Sequence, residues 1–194
     1  MSPRIKSDAR DRIVNAACEL FYQQGYHATS VDQVIAAAGV SKPTVYNYFP
    51  TKEELCLGYL EERTRREVAM MNDSFQNLAT PHERYSAIIQ HVKKRIKSWG
   101  YRGCGFMNML AEFPDSRSPI VAISKQYIDS NRAMIVSVVS ALKESSPQYA
   151  HLDVKAVADA YYLLIAGAIS TCQECRDDWP IDRAIESVEV LLKP

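Results

Sequence analysis

The sequence predicts an all-α fold of about nine helices. Its 194 residues include only seven glycines, and apolar residues seldom alternate with polar ones as they do in a half-buried strand. Between the prolines, apolar residues recur every three or four positions, which is the helical period. Because prolines seldom lie inside a helix, they also indicate where one predicted helix ends and the next begins.

The first helices carry recognisable terminal signals. The first is expected to start near Ser7 or Asp8 and to end at Gly25, since glycine readily adopts the left-handed conformation of a helix C-terminus. The second follows Ser30, which forms a capping box with Gln33. Gly39 then permits a sharp turn. A short third helix is predicted over residues 42–48, with Ser41 as its N-cap and Pro43 in its first turn.

The remaining helices are expected to be longer. Thr51 and Glu54 have the spacing of another capping box, so a helix is predicted from about 51 to 76. Five more are predicted near 81–98, 103–113, 117–144, 153–175 and 181–192.

The charge balance and the lengths of the apolar runs limit which partners the sequence supports. The formal net charge is zero, and residues 1–52 hold six Lys or Arg against four Asp or Glu. A nucleic-acid partner must therefore be argued from local geometry. The N-terminus has no apolar signal core, and no apolar run reaches the ~18 residues of a membrane span. We therefore expect a cytoplasmic protein without a membrane partner, whose five scattered cysteines are reduced.

Residues 30–49 have the pattern of a helix-turn-helix motif. Val34 on the first of its helices can pack against the second. Val45 and Phe49, four residues apart, can anchor the short helix from its inner side. The outer face is then free to enter a DNA major groove. The alternative interpretation of the pattern is an ordinary helical hairpin with exposed tyrosines.

A larger set of residues recurs in fixed order between Arg10 and Leu55. It comprises Ile13, Ala16, Ala17, Leu20, Phe21, Gly25, Tyr26, Thr29, Ser30 and Val31, then Ala36, Ala38, Gly39, Val40, Ser41, Lys42, Thr44, Val45, Tyr46, Asn47, Tyr48 and Phe49, and finally Lys52, Glu53, Glu54 and Leu55. With this set, the stretch resembles the N-terminal domain of the TetR family of bacterial transcription regulators. The resemblance implies a helix-turn-helix DNA-binding domain at 1–50 and a helical effector-binding and dimerisation domain at 51–194. It implies a non-enzymatic regulator without a cofactor, associated with the nucleoid when it is bound to DNA, and most often a repressor.

The resemblance also implies which side chains contact double-stranded DNA. Lys42 and Asn47 are the candidates for base contacts, and the residues expected mainly at phosphates are Ser41, Thr44, Tyr46, Tyr48 and Lys52, with Ser30 added at the motif's start. Pro43 departs from the family, which commonly has a small residue there. Its missing N–H excludes a backbone amide contact, whereas its ring could contact a thymine methyl group. A palindromic operator bound by a dimer is expected, because one two-turn helix contacts few bases.

The C-terminal part contains an unusually apolar helix. Residues 154–169 are apolar around most of the helix, interrupted only by Lys155 and Asp159. Such a helix needs partners on most sides. We therefore expect a homodimer held by four helices, the segments 153–175 and 181–192 of each protomer. The alternative is a buried core helix within one subunit.

Aromatic and sulfur-containing side chains cluster in the middle of the chain. The segment 102–115 resembles a part of one branch of the same family, where it leads from the ligand pocket towards the DNA-binding domain. Such side chains suit an adaptable apolar cavity, although a stripe of this kind is more often plain core. We predict an effector site for a small apolar or aromatic molecule, formed by Trp99, Tyr101, Cys104, Phe106, Met107, Leu110, Tyr127 and Tyr162.

The sequence gives weaker support to two other function classes. A thiol-based redox or electrophile sensor could use Cys104, whose thiolate Arg102 would favour. The pair Cys172 and Cys175 forms a lone C-x-x-C, a weak signal for metal or redox chemistry. An enzyme is disfavoured, because no Gly-rich phosphate loop, no nucleophile–base set and no metal cluster stands out.

Overall fold

The computed structural model describes residues 3–194, with side chains from residue 9 onward. Within this range the backbone forms nine α-helices, one 3₁₀ turn at Pro147–Tyr149 and no strand. The predicted all-α fold is thereby confirmed. The helices are α1 (Pro3–Gln24), α2 (Val31–Ala38), α3 (Lys42–Tyr48), α4 (Lys52–Phe75), α5 (Pro81–Ser98), α6 (Gly105–Glu112), α7 (Pro119–Ser145), α8 (Val154–Cys175) and α9 (Trp179–Val190).

Two helices begin earlier than the sequence predicts. The first, α1, begins at Pro3 instead of near Ser7 or Asp8. The last, α9, begins at Trp179 instead of residue 181, so that Pro180 lies within its first turn. Proline is tolerated there because the first backbone N–H groups of a helix have no intrahelical acceptor.

The chain divides into two compact units. The first consists of Met1–Glu67 and Gly105–Tyr127, and the second of Val68–Cys104 and Ile128–Pro194. Helices α4 and α7 each contribute residues to both units. The functional division after residue 50 remains a prediction, since it concerns which residues bind DNA.

The N-terminal core of the first unit is formed by α1, α2 and α3. The predicted inward residues Ile13, Ala17 and Phe21 of α1 are at most 1% exposed. Val34 of α2 and Val45 of α3 are fully buried. The core is therefore built from the apolar residues spaced by the helical period, and it holds the short helix α3 by one side only.

The second unit is held by α5, α8 and α9. Two buried tyrosines join these helices through the backbone. The hydroxyl of Tyr85 donates to the carbonyl of Val188 at 2.6 Å. The hydroxyl of Tyr161 donates to the carbonyl of Tyr85 at 2.7 Å and accepts the N–H of Ile89 at 3.2 Å.

Helix α8 is both long and apolar. Among the described residues it is the single helix whose length and mean hydropathy of 1.2 would suffice for a membrane span, and 28% of that apolar stretch is buried. This observation is weak evidence for a membrane, because core helices of soluble proteins have the same composition. Its buried residues include Val157, Tyr161, Ile165 and Cys172, which face the core of the second unit.

Candidate nucleic-acid interface

Helix α2 has well-defined ends. The Ser30 hydroxyl accepts the backbone N–H of Gln33, and the Gln33 side chain accepts the N–H of Ser30, which is the predicted capping box. At the other end Gly39 has φ +61, a left-handed conformation in which glycine is favoured. The Arg12 guanidinium of α1 donates to the carbonyls of Ala38 and Gly39, both at 3.2 Å. This contact satisfies carbonyls that a helix end leaves without an intrahelical donor.

Helix α3 covers the predicted residues 42–48 and is anchored through its buried side. Ser41 caps it by accepting the N–H of Thr44, and its hydroxyl also lies 2.7 Å from that of Thr44. Val45 is fully buried, and Phe49, just after the helix, is 6% exposed. The Phe49 ring lies so close to Gly58 of α4 that a Cβ at this glycine would be 2.7 Å from a ring carbon. Gly58 is therefore part of the site, although no sequence signal singled it out.

The outer face of α3 presents the predicted base-contacting residues to solvent. Lys42, Pro43 and Asn47 are exposed, and Tyr46 is 40% exposed. Thr44 and Tyr48 are half-buried at the margins of this face. The remaining predicted residues lie beside it, with Ser30 and Ser41 at the starts of the two helices and Lys52 at the start of α4.

Lys52 makes a contact that the sequence did not reveal. Its ammonium lies 4.3 Å from the centroid of the Tyr26 ring, in the turn after α1. A cation over an aromatic face is attracted by the ring's negative surface. The contact fixes the beginning of α4 against the α1–α2 turn. That Lys52 contacts a DNA phosphate remains a prediction.

Lys42 is paired with an acidic residue of α2. Its ammonium lies 3.1 Å from a carboxylate oxygen of Asp32, with side chains 61% and 74% exposed. The hydrogen bond to this carboxylate raises the pKa of Lys42. The sequence does not single out Asp32, because an acidic residue in a first helical turn equally fits helix stabilisation.

A second unpredicted contact lies in the first unit at the end of α6. The two carboxylate oxygens of Glu112 accept the backbone N–H groups of Tyr26 at 3.1 Å and His27 at 2.9 Å. The next residue, Phe113, packs edge-on against the Tyr26 ring at 4.7 Å. A Cβ added at Gly25, whose φ is +88, would clash with the Glu112 carboxylate unless that side chain moved. The turn that precedes α2 is therefore held by α6.

The predicted effector residues are divided between the two units. In the first unit Phe106 is buried and stacks on Tyr127 with a centroid distance of 3.8 Å. Met107 is 38% exposed, and Leu110 is half-buried. The remaining four, Trp99, Tyr101, Cys104 and Tyr162, belong to the second unit and are all half-buried.

Polar neighbours surround three of these aromatic rings in the second unit. The Tyr101 hydroxyl donates to Asp178 at 2.8 Å. Guanidinium groups lie over the other two rings, Arg95 over Trp99 at 4.9 Å and Arg132 over Tyr162 at 5.6 Å. That these residues bind an effector remains a prediction.

Burial raises the pKa of three cysteines. It raises the pKa of Cys18 to about 11, and it raises the pKa of Cys56 and of Cys172. A raised pKa lowers the thiolate fraction and hence the reactivity. The sensor hypothesis for Cys104 remains a prediction, and so does any role of Cys175.

Comparison with known proteins gives consistent matches. A family model described as bacterial regulatory proteins of the tetR family matches residues 13–58. The HTH-type transcriptional regulator RutR of Escherichia coli K12 is 30% identical over 152 residues, covering 77% of this chain and 70% of RutR. The HTH-type transcriptional activator FasR of Mycolicibacterium smegmatis is 33% identical over 99 residues, covering 50% of this chain and 45% of FasR. The match thus spans less than half the length of FasR.

Solved structures share the fold over nearly the whole chain. The crystal structure of a TetR-family transcriptional regulator from Streptomyces coelicolor has a TM-score of 0.85 at 25% identity, covering 96% of this chain and 95% of that chain. A TetR transcriptional regulator from Chloroflexus aurantiacus has a TM-score of 0.83 at 20% identity, with coverage of 96% and 95%. The second likeness concerns the fold alone.

Proposed function

This chain belongs to the TetR family of bacterial DNA-binding transcription regulators, and we propose that it is a ligand-responsive repressor that binds a palindromic operator as a homodimer. DNA binding is assigned to residues 1–50, and effector binding and dimerisation to residues 51–194. The protein acts without a cofactor or an enzymatic activity, in the cytoplasm and at the nucleoid when bound to DNA. The observation that carries this proposal is the exposed polar face of α3.

The outer face of α3 supports DNA binding through its chemistry. Lys42 and Asn47 are donors on an exposed surface, and amine and amide groups match guanine and adenine edges in the major groove. Tyr46 and its neighbours add hydroxyl groups suited to phosphate oxygens. Because Val45 and Phe49 hold the opposite side in the core, this face is presented on a fixed support.

Selection of bound duplexes from random DNA tests the proposal. We expect enrichment of an inverted repeat whose half-site centres are about 34 Å apart, one helical turn of DNA. Enrichment of a single unrepeated site would contradict the dimeric mode, and absence of any enrichment would contradict operator recognition. If the protein is a repressor, deleting its gene in a reporter strain should raise expression from the selected site. A fall in expression would instead assign an activator role, which the printed name of FasR states for that relative.

Exposed apolar side chains on the last two helices support the dimer. Leu163 of α8 is 67% exposed, and Trp179 and Val190 of α9 are each 57% exposed. Near Leu163, the exposed Gly167 has open space where a Cβ would lie, which allows a second helix to approach closely. Large exposed apolar surface on a soluble chain commonly marks an interface.

The Leu163→Glu variant tests this surface by light scattering coupled to gel filtration. We expect the wild type at twice the chain mass of 21.9 kDa and the variant at the chain mass. The matched control is Val136→Glu on α7, where the side chain is 39% exposed. A dimer that survives in Leu163→Glu would overturn this choice of interface.

We propose that the effector is a small apolar or aromatic molecule and that Trp99 and Tyr162 of the second unit contribute to its binding. A ligand releases the operator if it binds more tightly to the conformation that fits the DNA poorly. With Trp179→Phe, Trp99 becomes the sole tryptophan, so its fluorescence reports ligands from a panel of aromatic and aliphatic compounds. A ligand that changes this fluorescence and also releases the selected duplex supports the assignment. Release without any fluorescence change would place the effector elsewhere.

A further inference from the structure

We infer that Asp32 is a specificity-determining residue, which restrains Lys42 and so lowers the affinity of α3 for DNA of arbitrary sequence. The inference rests on the proposed function, because it assigns a role within the same DNA-binding surface. It starts from the ion pair between the first turn of α2 and the first residue of α3.

The fold fixes this pair from both sides. Asp32 lies two residues after the Ser30 cap, in the first turn of α2. Lys42 is the first residue of α3, and the turn through Gly39 returns the chain so that the two charges meet across ten residues. Arg12 holds the carbonyl end of α2 at this turn. The contact is thus a product of the motif's geometry and not of neighbouring positions on one helix.

Both side chains are accessible to DNA. The side chains of Lys42 and Asp32 are 61% and 74% exposed, and the Lys42 ammonium has two further N–H donors. An exposed ion pair is weak enough to exchange with a competing partner. Asp32 therefore biases Lys42 without locking it.

The bias acts differently on the two kinds of DNA contact. Binding to arbitrary DNA comes mainly from lysine and arginine at phosphates, with release of counterions. A lysine that is already neutralised by a carboxylate releases fewer counterions when it meets a phosphate. A guanine edge, by contrast, offers neutral acceptors at O6 and N7. A lysine held in one place loses less conformational freedom when it reaches such an edge.

The low charge of this region makes the effect consequential. Residues 1–52 carry only two more basic than acidic residues. One lysine that changes between a paired and an unpaired state is therefore a large share of the local positive charge. Asp32 thus separates specific from non-specific binding in a chain whose total affinity for phosphates is small.

The experiment compares the wild type, Asp32→Asn, Lys42→Ala and the double variant on the selected duplex and on a scrambled duplex across a salt series. In Asp32→Asn we expect severalfold tighter binding to scrambled DNA, with the slope of log affinity against log salt steeper by about 0.9 per protomer. The ratio of specific to non-specific affinity should fall. Asp115→Asn is the matched control, since it removes an exposed carboxylate paired with Arg117 outside the motif. It should leave both quantities unchanged.

The Lys42→Ala background separates the proposed cause from simple charge repulsion. There Asp32→Asn should no longer change the salt slope, because Asp32 acts through Lys42. An equal change in both backgrounds would overturn the inference, and so would an unchanged slope in Asp32→Asn alone. Failure of the wild type to prefer the selected duplex would instead refute the proposed function.

Discussion

The carboxylate of Glu112 accepts the backbone N–H of Tyr26 at 3.1 Å, joining two residues that are 86 positions apart. The same carboxylate accepts the N–H of His27, and the His27 ring lies 3.2 Å from the Glu112 carbonyl oxygen. The turn that leads into the helix-turn-helix motif thus depends on α6 for its hydrogen bonds. Buried or half-buried backbone N–H groups need such acceptors.

Removing this carboxylate should destabilise the first unit. We expect Glu112→Ala to lower the free energy of unfolding by about 1–3 kcal/mol, since two charge-assisted hydrogen bonds are lost. Glu112→Gln retains one acceptor oxygen and should lose less. Denaturant unfolding followed by circular dichroism measures the difference. The exposed Glu61→Ala on α4 is the control, and equal losses in the two alanine variants would argue against a special role for Glu112.

Arg12 should support α2 in a comparable way. Arg12→Ala leaves the carbonyls of Ala38 and Gly39 without this donor, and a loss of about 1 kcal/mol in unfolding free energy is expected. Because the turn between the two helices loosens, binding to the selected duplex should weaken as well. Fluorescence anisotropy with labelled DNA gives the affinity. Normal affinity in a clearly destabilised Arg12→Ala variant would show that the turn keeps its geometry without this contact.

The tyrosine network of the second unit gives a prediction independent of DNA. Tyr161→Phe removes a hydroxyl that donates to the Tyr85 carbonyl and accepts the Ile89 N–H. We expect the free energy of unfolding to fall by about 1–3 kcal/mol, because both partners are buried. Tyr149→Phe is the control, because the half-buried Tyr149 lies in the 3₁₀ turn and takes no part in this network. Thermal unfolding of the two variants under one set of conditions makes the comparison.

Stability should also depend on Glu62 at acid pH. Hydrogen bonds from Arg65, and then from Arg66, lower the pKa of Glu62 from 4.5 to about 2. A depressed carboxyl pKa gives stability that is present above the unfolded value and lost as pH falls through the folded value. The free energy of unfolding of the wild type should therefore exceed that of Glu62→Gln by ~1 kcal/mol at pH 7. The difference is small because Arg65 is 69% exposed, so that solvent weakens the ion pair. The difference should vanish between about pH 5 and pH 2, and a difference independent of pH would contradict this role.

The features predicted from the sequence are those with local causes. Ser30 and Gln33 lie three residues apart, so their capping box can be recognised from the sequence, and the structure has it. The inward direction of Val45 follows from helical spacing in the same way. These signals suffice for the helix order and for the exposed face of α3.

The missed features depend on contacts between distant residues. Nothing near Glu112 indicates that it accepts two N–H groups from the turn after α1, and nothing near Gly58 indicates the Phe49 ring beside it. Asp32 and Lys42 are ten positions apart on different helices, and only the turn through Gly39 brings them together. Such pairs require the tertiary arrangement, which the helical period alone does not determine.

The affinity of Asn47→Ala for the selected duplex tests whether the exposed face of α3 contacts the bases of an operator. Asn47 lies exposed on α3, and losing one good base contact should weaken binding by about 1–3 kcal/mol, or roughly five- to 150-fold. The matched control is Asn72→Ala, an exposed asparagine on α4 outside the motif. We expect weakened specific binding in Asn47→Ala, with unchanged affinity for scrambled DNA and wild-type behaviour in the control. Equal specific affinity in the wild type and Asn47→Ala would contradict this expectation.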